Sequence, residues 1–210
     1  MQSFDDRSLI GNGADILQPG KVYPATFMTG ALQAPLFQRV AKRAFDLITA
    51  TGGLFLLSPI FLLVSIAIRI EAVGPVFCTQ LRHSYNNKTI AVLKFRSTMF
   101  GSSLTPLGRV LRRTGIDGLP QLINVLRGEM SIVGPEPRAT ADQISAERAS
   151  QFWRPGITGW AQVNGYWDEG KTPEEMQRRH EYDLSYINNW SFILDVKIIL
   201  MTLFSKSIYV

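Results

Sequence analysis

The stretch Leu47-Ile-Thr-Ala-Thr-Gly-Gly-Leu-Phe-Leu-Leu-Ser58-Pro59-Ile-Phe-Leu-Leu-Val-Ser-Ile-Ala-Ile68 runs for 22 residues without a charge, bracketed by Asp46 and Arg69. At about 1.5 Å per residue a straight helix of that length just covers the ~30 Å hydrocarbon core of a bilayer. Two features speak against a simple span. Ser58-Pro59 falls near the midpoint, where proline removes a backbone donor and crowds the preceding turn. Basic residues also flank both ends, Arg39, Lys42 and Arg43 before it and Arg69 after it. Positive flanks mark a cytoplasmic side, so both ends read as staying on one face. A re-entrant helix-break-helix over residues 46–69 meets both facts, with the Ser58 hydroxyl available to the backbone group that Pro59 leaves without a partner. A true span and a buried core helix are the other two readings.

Composition agrees with a chain that meets a membrane. Of the 210 residues, 46% are hydrophobic and only 19% charged, which excludes an intrinsically disordered chain, a coiled coil and a collagen-like repeat. Lys and Arg outnumber Asp and Glu by 22 to 17, a net charge of +5, so anionic partners such as phosphates, nucleotides or acidic lipid are expected. Cys78, the one cysteine, cannot form an internal disulfide and reads as a small buried hydrophobe.

Around the apolar segment the chain divides into an arm and a domain. Residues 1–38 show no clear period and read as a mobile cytoplasmic arm; residues 39–210 hold the rest, with the part that faces the cytoplasm over 70–210. Pro75–Cys78 and Thr89–Leu93 have strand character. Leu107, Val110 and Leu111 mark one helical face, and Leu119, Leu122, Ile123 and Leu126 a second, closed by Gly128. Thr172-Pro-Glu-Glu175 is a capping box opening a helix toward Tyr186. Met130–Arg138 and Pro155–Trp160 read as rigid turns. The apolar stretch Trp190–Phe204 suits either an interfacial amphipathic helix or a core helix. The class expected is α+β, mostly helical, in a monotopic membrane protein.

Between Glu71 and Asp117 there is no acidic residue, yet seven bases: Arg82, Lys88, Lys94, Arg96, Arg109, Arg112 and Arg113. So one-sided a run suggests either an anion site or a basic face against acidic lipid. Nucleic acid is not expected, since the run holds few aromatic side chains on which bases could stack. Asp117 closes it in Ile116-Asp-Gly-Leu-Pro-Gln121. There it reads as a helix N-cap kept ionised by the dipole and neighbouring arginines, and also as a candidate nucleophile toward phosphorus.

Eight motifs in order carry a resemblance: Lys42-Arg-Ala-Phe-Asp46, Ser58-Pro59, Gly74-Pro75 before Gln80 and Arg82, Lys94-Phe-Arg96, Leu119-Pro-Gln-Leu-Ile-Asn124, Gly128-Glu-Met-Ser-Ile-Val-Gly-Pro135, Pro155-Gly-Ile-Thr-Gly-Trp-Ala-Gln162 and Asn189-Trp-Ser191. Over roughly residues 39–206 the chain resembles the bacterial sugar transferases, the polyprenyl-phosphate hexose-1-phosphate transferases or monotopic phosphoglycosyl transferases that prime exopolysaccharide synthesis. The resemblance implies transfer of a hexose-1-phosphate from a UDP-sugar to undecaprenyl phosphate, with UMP released. It implies a covalent aspartyl-phosphosugar intermediate on Asp117, Mg²⁺ as cofactor, and a place at the cytoplasmic face of the bacterial inner membrane. Lys94, Arg96, Arg112, Arg113, Gln121 and Arg138 are the implied substrate-binding residues, and other polysaccharide-assembly enzymes are implied partners. Two positions depart from the pattern, as does the stretch Thr98–Thr105, which carries no acid where the family signature has one. Gly118 stands where the family has a glutamate implicated in metal binding, and Glu136, a possible substitute ligand, stands where a nucleotide-binding arginine is expected. A catalytically impaired relative with a binding or regulatory role is therefore the alternative.

Overall fold

The apolar segment belongs to one long helix, α1 (Leu36–Glu71). A computed structural model describes residues 36–83, 89–99, 103–137, 153–166 and 172–204; most of the expected arm, residues 1–35, lies outside them. The helix starts ten residues before the expected 46 and takes in residues 36–38, which the sequence assigns to the arm. Pro59 lies inside it. The helix is therefore continuous through Pro59, not two helices separated by a break. The Ser58 hydroxyl explains how, because it donates to Phe55 O at 2.8 Å, the carbonyl that the missing Pro59 N–H would otherwise have served. Among the described residues α1 alone is long and apolar enough to cross a membrane, and only 6% of its most apolar window is buried. A core helix of a soluble domain would be covered there, whereas Phe55, Leu56, Leu62 and Leu63 are exposed.

The rest is mostly helical with two small sheets. A hairpin pairs β1 (Phe77–His83) with β2 (Thr89–Phe95), in register from Phe77 opposite Phe95 to His83 opposite Thr89. Then follow α2 (Pro106–Thr114), a 3₁₀ turn (Ile116–Gly118) and α3 (Gln121–Arg127). Next come β3 (Ser131–Val133), β4 (Gly156–Thr158), α4 (Trp160–Val163), α5 (Pro173–Asn188) and α6 (Phe192–Phe204). The two proline-rich turns thus contain short strands, and β3 and β4 pair in parallel. Their backbones run so close that a Cβ on Gly156 would stand 2.2 Å from Gly134 N, so only glycine fits there. Thr172 caps α5 as expected, its hydroxyl accepting from Glu175 N–H at 3.2 Å.

Two hydrophobic clusters hold these elements. The larger joins Ala50 of α1 to Val92, Leu122, Val125, Val133, Tyr186 and Ile198. The smaller joins Ile68 of α1 to Phe95 and Leu111, with Phe61, Ile116 and Leu119 packed on it. Val110, expected on the buried face of α2, is instead 55% exposed, because Leu107, Gly108 and Leu111 occupy the contact. On α3 the buried side chains are Leu122, Asn124 and Val125, while Leu126 is exposed. The last helix packs on the domain through Asp195 and Ile198, which are buried, whereas Ile193, Leu200, Leu203 and Phe204 are exposed.

Polar anchors fix α1 to the domain. Lys42 donates to Val133 O at 3.1 Å and pairs with Asp195 at 2.6 Å. Asp46 accepts from Ser131 Oγ and Ile132 N–H. Arg43 donates to the carbonyls of Val125 and Leu126 at the end of α3. Two of the basic residues read as the cytoplasmic flank of the apolar segment are thus committed to internal contacts.

Candidate functional site

Asp117 sits in the 3₁₀ turn, half-buried, after Gly115, whose φ of +69° ends α2 in the left-handed region. It is not the N-cap of α3, as the sequence suggested; that position is Pro120, with no side-chain cap. The reason lies in Leu119 and Leu122, whose N–H groups donate to Ile116 O and Leu119 O. The chain thereby already coils before Pro120. Burial pushes the Asp117 carboxyl above its ordinary range, and Lys94, Arg112 and the N–H groups of Asp117 and Gly118 pull it back. Desolvation outweighs the neighbouring charges in setting the direction of this shift.

The two cations come from different elements. Lys94 lies on β2, directly across the hairpin from Cys78. Arg112 lies in the last turn of α2, exposed, with Nε donating to Ser97 Oγ at 3.0 Å. Gly108 allows this, since a Cβ there would fall 1.9 Å from Ser97 O, and so α2 lies directly on the strand's exit. Asp117, Lys94 and Arg112 are one electrostatic group, and Cys78 belongs to it. Burial raises its thiol, with Lys94, Asp117 and Arg112 acting on it in turn. The two cations, from separate elements, can neutralise a phosphate or diphosphate brought to the half-buried Asp117 carboxyl on which they act.

The other expected residues distribute differently. Gln121 opens α3, its Nε2 3.0 Å from where a Cβ on Gly118 would stand, so its amide covers the position beside Asp117. Arg113 is exposed on α2. Arg96 is placed at the end of α1, where its guanidinium donates to Ala72 O at 2.7 Å and Val73 O at 2.9 Å. It acts as a C-terminal clamp for α1. Arg138 lies outside the described residues. Glu136 accepts from Arg179 and, at 3.5 Å, from Gln162 Nε2. Among the described residues no three His, Cys, Asp or Glu side chains gather as metal ligands, and Gly118 supplies no donor. The described residues do not build a metal cage of their own.

Three residues near the site escaped the sequence. Cys78 reads from the sequence as a small buried hydrophobe, yet it is only half-buried and the strand pairing carries it opposite Lys94. Ser97 gave no signal beyond following Lys-Phe-Arg. Asn124 gave one, an amide one helical turn after Gln121 on an otherwise apolar face.

The profile of a family described as bacterial sugar transferase matches residues 37–207. The chain is 39% identical over 203 residues to the UDP-glucose:undecaprenyl-phosphate glucose-1-phosphate transferase of Escherichia coli (strain K12), covering 84% of this chain and 44% of that protein. It is 42% identical over 185 residues to the undecaprenyl-phosphate glucose phosphotransferase of Komagataeibacter xylinus, covering 77% and 35% respectively. A shorter relative, the exopolysaccharide production protein PSS of Rhizobium leguminosarum bv. phaseoli, is 35% identical over 190 residues, covering 80% and 95%. The chain thus spans under half the length of the first two relatives.

Proposed function

The chain belongs to the bacterial sugar transferase family, and from that premise we propose that it transfers a hexose-1-phosphate from a UDP-sugar to undecaprenyl phosphate, priming a surface polysaccharide. The observation that supports this reading best is the half-buried Asp117 carboxyl, on which the charges of Lys94 and Arg112 act from two other elements. A carboxylate oxygen of Asp117 attacks the sugar-side phosphorus. The bridging P–O bond breaks, and UMP leaves with the electron pair. The aspartyl-phosphosugar then yields its phosphosugar to an oxygen of the lipid phosphate, which regenerates the carboxylate. Lys94 and Arg112 offset the charge spread over the phosphoryl oxygens in each step, and the Gln121 amide orients the donor beside Asp117. Mg²⁺ is the proposed cofactor. It commonly binds through substrate phosphates with few protein ligands, so it would arrive with the diphosphate, and no step above runs through it.

The proposed location is the cytoplasmic face of the bacterial inner membrane. In this reading α1 enters the bilayer, turns by a kink at Ser58-Pro59, and leaves on the face it entered. The exposed apolar surface of α1 supports burial in lipid. Other polysaccharide-assembly enzymes are proposed partners.

The decisive experiment follows UMP release by detergent-solubilised protein given UDP-glucose, Mg²⁺ and undecaprenyl phosphate, beside an Asp117→Asn variant. Release lost with Asp117→Asn supports the reading; equal release from both proteins rejects the aspartyl intermediate. A second reading, a catalytically impaired relative, draws on Gly118 and on the Glu136–Arg179 pair. Its mark is silence from the unmodified protein across a panel of nucleotide sugars, with release after Gly118→Glu. That substitution is open to test because φ at Gly118 is not left-handed and only the Gln121 amide need move.

A further inference from the structure

Asn124 is fully buried, yet its side chain makes three hydrogen bonds. Its Oδ1 accepts from Leu93 N–H at 3.0 Å, and its Nδ2 donates to Ala91 O at 2.8 Å and to Glu129 Oε2 at 2.6 Å. Residues two apart on a strand present their backbone groups to the same edge, so Ala91 and Leu93 offer Asn124 the edge of β2 turned away from β1. An amide there substitutes for a neighbouring strand and leaves that stretch of edge satisfied. Glu129 completes the arrangement, since its own N–H donates to Asn124 O at 3.0 Å.

The two ends of this clamp matter because of what adjoins them. Lys94 follows Leu93 directly in β2. Asp117 precedes α3 in an unbroken series of turns, with Gly118 N–H donating to Gly115 O, Leu119 to Ile116 O, Leu122 to Leu119 O and Ile123 to Pro120 O. One side chain therefore ties the strand that carries Lys94 to the helix that grows out of the Asp117 turn. Hydrophobic contact alone would let the hairpin slide over Leu122 and Val125, whereas paired hydrogen bonds fix its register.

We infer that Asn124 is a positioning residue, which sets the separation of Lys94 and Asp117 by docking the free edge of β2 onto α3. The inference rests on the transferase reading. Its test compares Asn124→Ala, Asn124→Ser and a control, Ile198→Ala, at another buried position on α6. For each, thermal stability, kcat and KM for the UDP-sugar, and the pH profile of UMP release are measured. With the clamp cut, Lys94 no longer holds Asp117 ionised as effectively. Asn124→Ala is expected to lower kcat tenfold or more and to move the acid limb of the profile to higher pH. Asn124→Ser, which keeps a polar group, gives a smaller change in the same direction and stands in should the alanine variant not fold. The control loses stability without moving the acid limb. An Asn124 variant that loses stability but keeps its kcat and its acid limb overturns the positioning role alone. An unmodified protein that releases no UMP, or releases it equally with Asp117→Asn, overturns the transferase reading and the inference with it.

Discussion

Asp117 faces opposed influences, and their balance predicts a pH profile. Burial raises its pKa, while Lys94, Arg112 and two backbone N–H groups lower it. In the proposed reaction, attack on phosphorus needs the ionised carboxylate, so activity should fall as pH drops through the raised pKa. The acid limb should therefore lie above the ordinary aspartate value of about 3.9. Lys94 is the largest of the lowering influences, so Lys94→Met is expected to move that limb further up and to slow turnover by about ten- to a hundredfold. A pH series of kcat/KM for UMP release checks both effects, and a limb that stays in place with Lys94→Met denies Lys94 this role. Arg96 makes the opposite case. Its guanidinium donates to the carbonyls of Ala72 and Val73, just past the end of α1, so Arg96→Ala should lower thermal stability more than it lowers kcat. In the sequence Lys94 and Arg112 belong to one basic run that ends at Asp117, a local signal, and in the fold both act electrostatically on that carboxyl. The sequence could not separate Arg96 from Lys94. Two positions apart, they lie on the same face by strand period, and only the end of α1, brought back by the fold, draws one of them away.

At the scale of the element, α1 shows how a proline is kept inside a long apolar helix. Ser58 Oγ donates to Phe55 O at 2.8 Å, and Phe55 itself is 85% exposed, so no water would replace that donor in lipid. Ser58→Ala leaves a bare carbonyl on an apolar face, at a cost of about 1–3 kcal/mol. A lowered melting temperature in lipid nanodiscs, with a smaller change in a more hydrated detergent, is the expected result; equal losses in both would show that lipid does not surround Phe55. The position of Ser58-Pro59 and the length of the apolar run were legible from composition and spacing alone. The continuity of the helix was not, because proline chemistry says only that a donor is missing, and the serine that replaces it acts through geometry. The strands β3 and β4 were missed for a related reason. Each is three residues long, too short for any period to register, and their pairing joins segments 25 residues apart.

On the scale of the whole molecule, the long apolar helix α1 and the domain that carries Asp117 are held together by buried charge. Lys42 of α1 reaches Asp195 of α6 at 2.6 Å, and Asp195 also accepts from Tyr186 Oη at 2.7 Å and Trp190 Nε1 at 3.2 Å. Asp195 is wholly buried, so these three donors stand in for the water its carboxylate has lost. Removing one partner of a buried pair strands the other, typically at about 3–5 kcal/mol. Here the tyrosine and tryptophan donors remain, which places Lys42→Met at or below the low end of that range. Lys42→Met with Asp195→Leu removes both charges, keeps the volume and should recover much of the loss. Tyr186 and Trp190 then lose an acceptor, so recovery stays incomplete. Thermal unfolding of the single and double variants in one detergent measures the difference, and a double variant no better than the sum of the singles would show that the pair acts independently of each other. The same comparison reaches function. Because Asp46 and Arg43 bind β3 and the end of α3, loosening α1 should disturb UMP release only as far as it disturbs α3, the helix on which Asp117 rests. A Lys42→Met protein that loses stability yet keeps its kcat would place the anchoring of α1 and the setting of the site on separate contacts, the first on Asp195 and the second on Arg43 and Asn124.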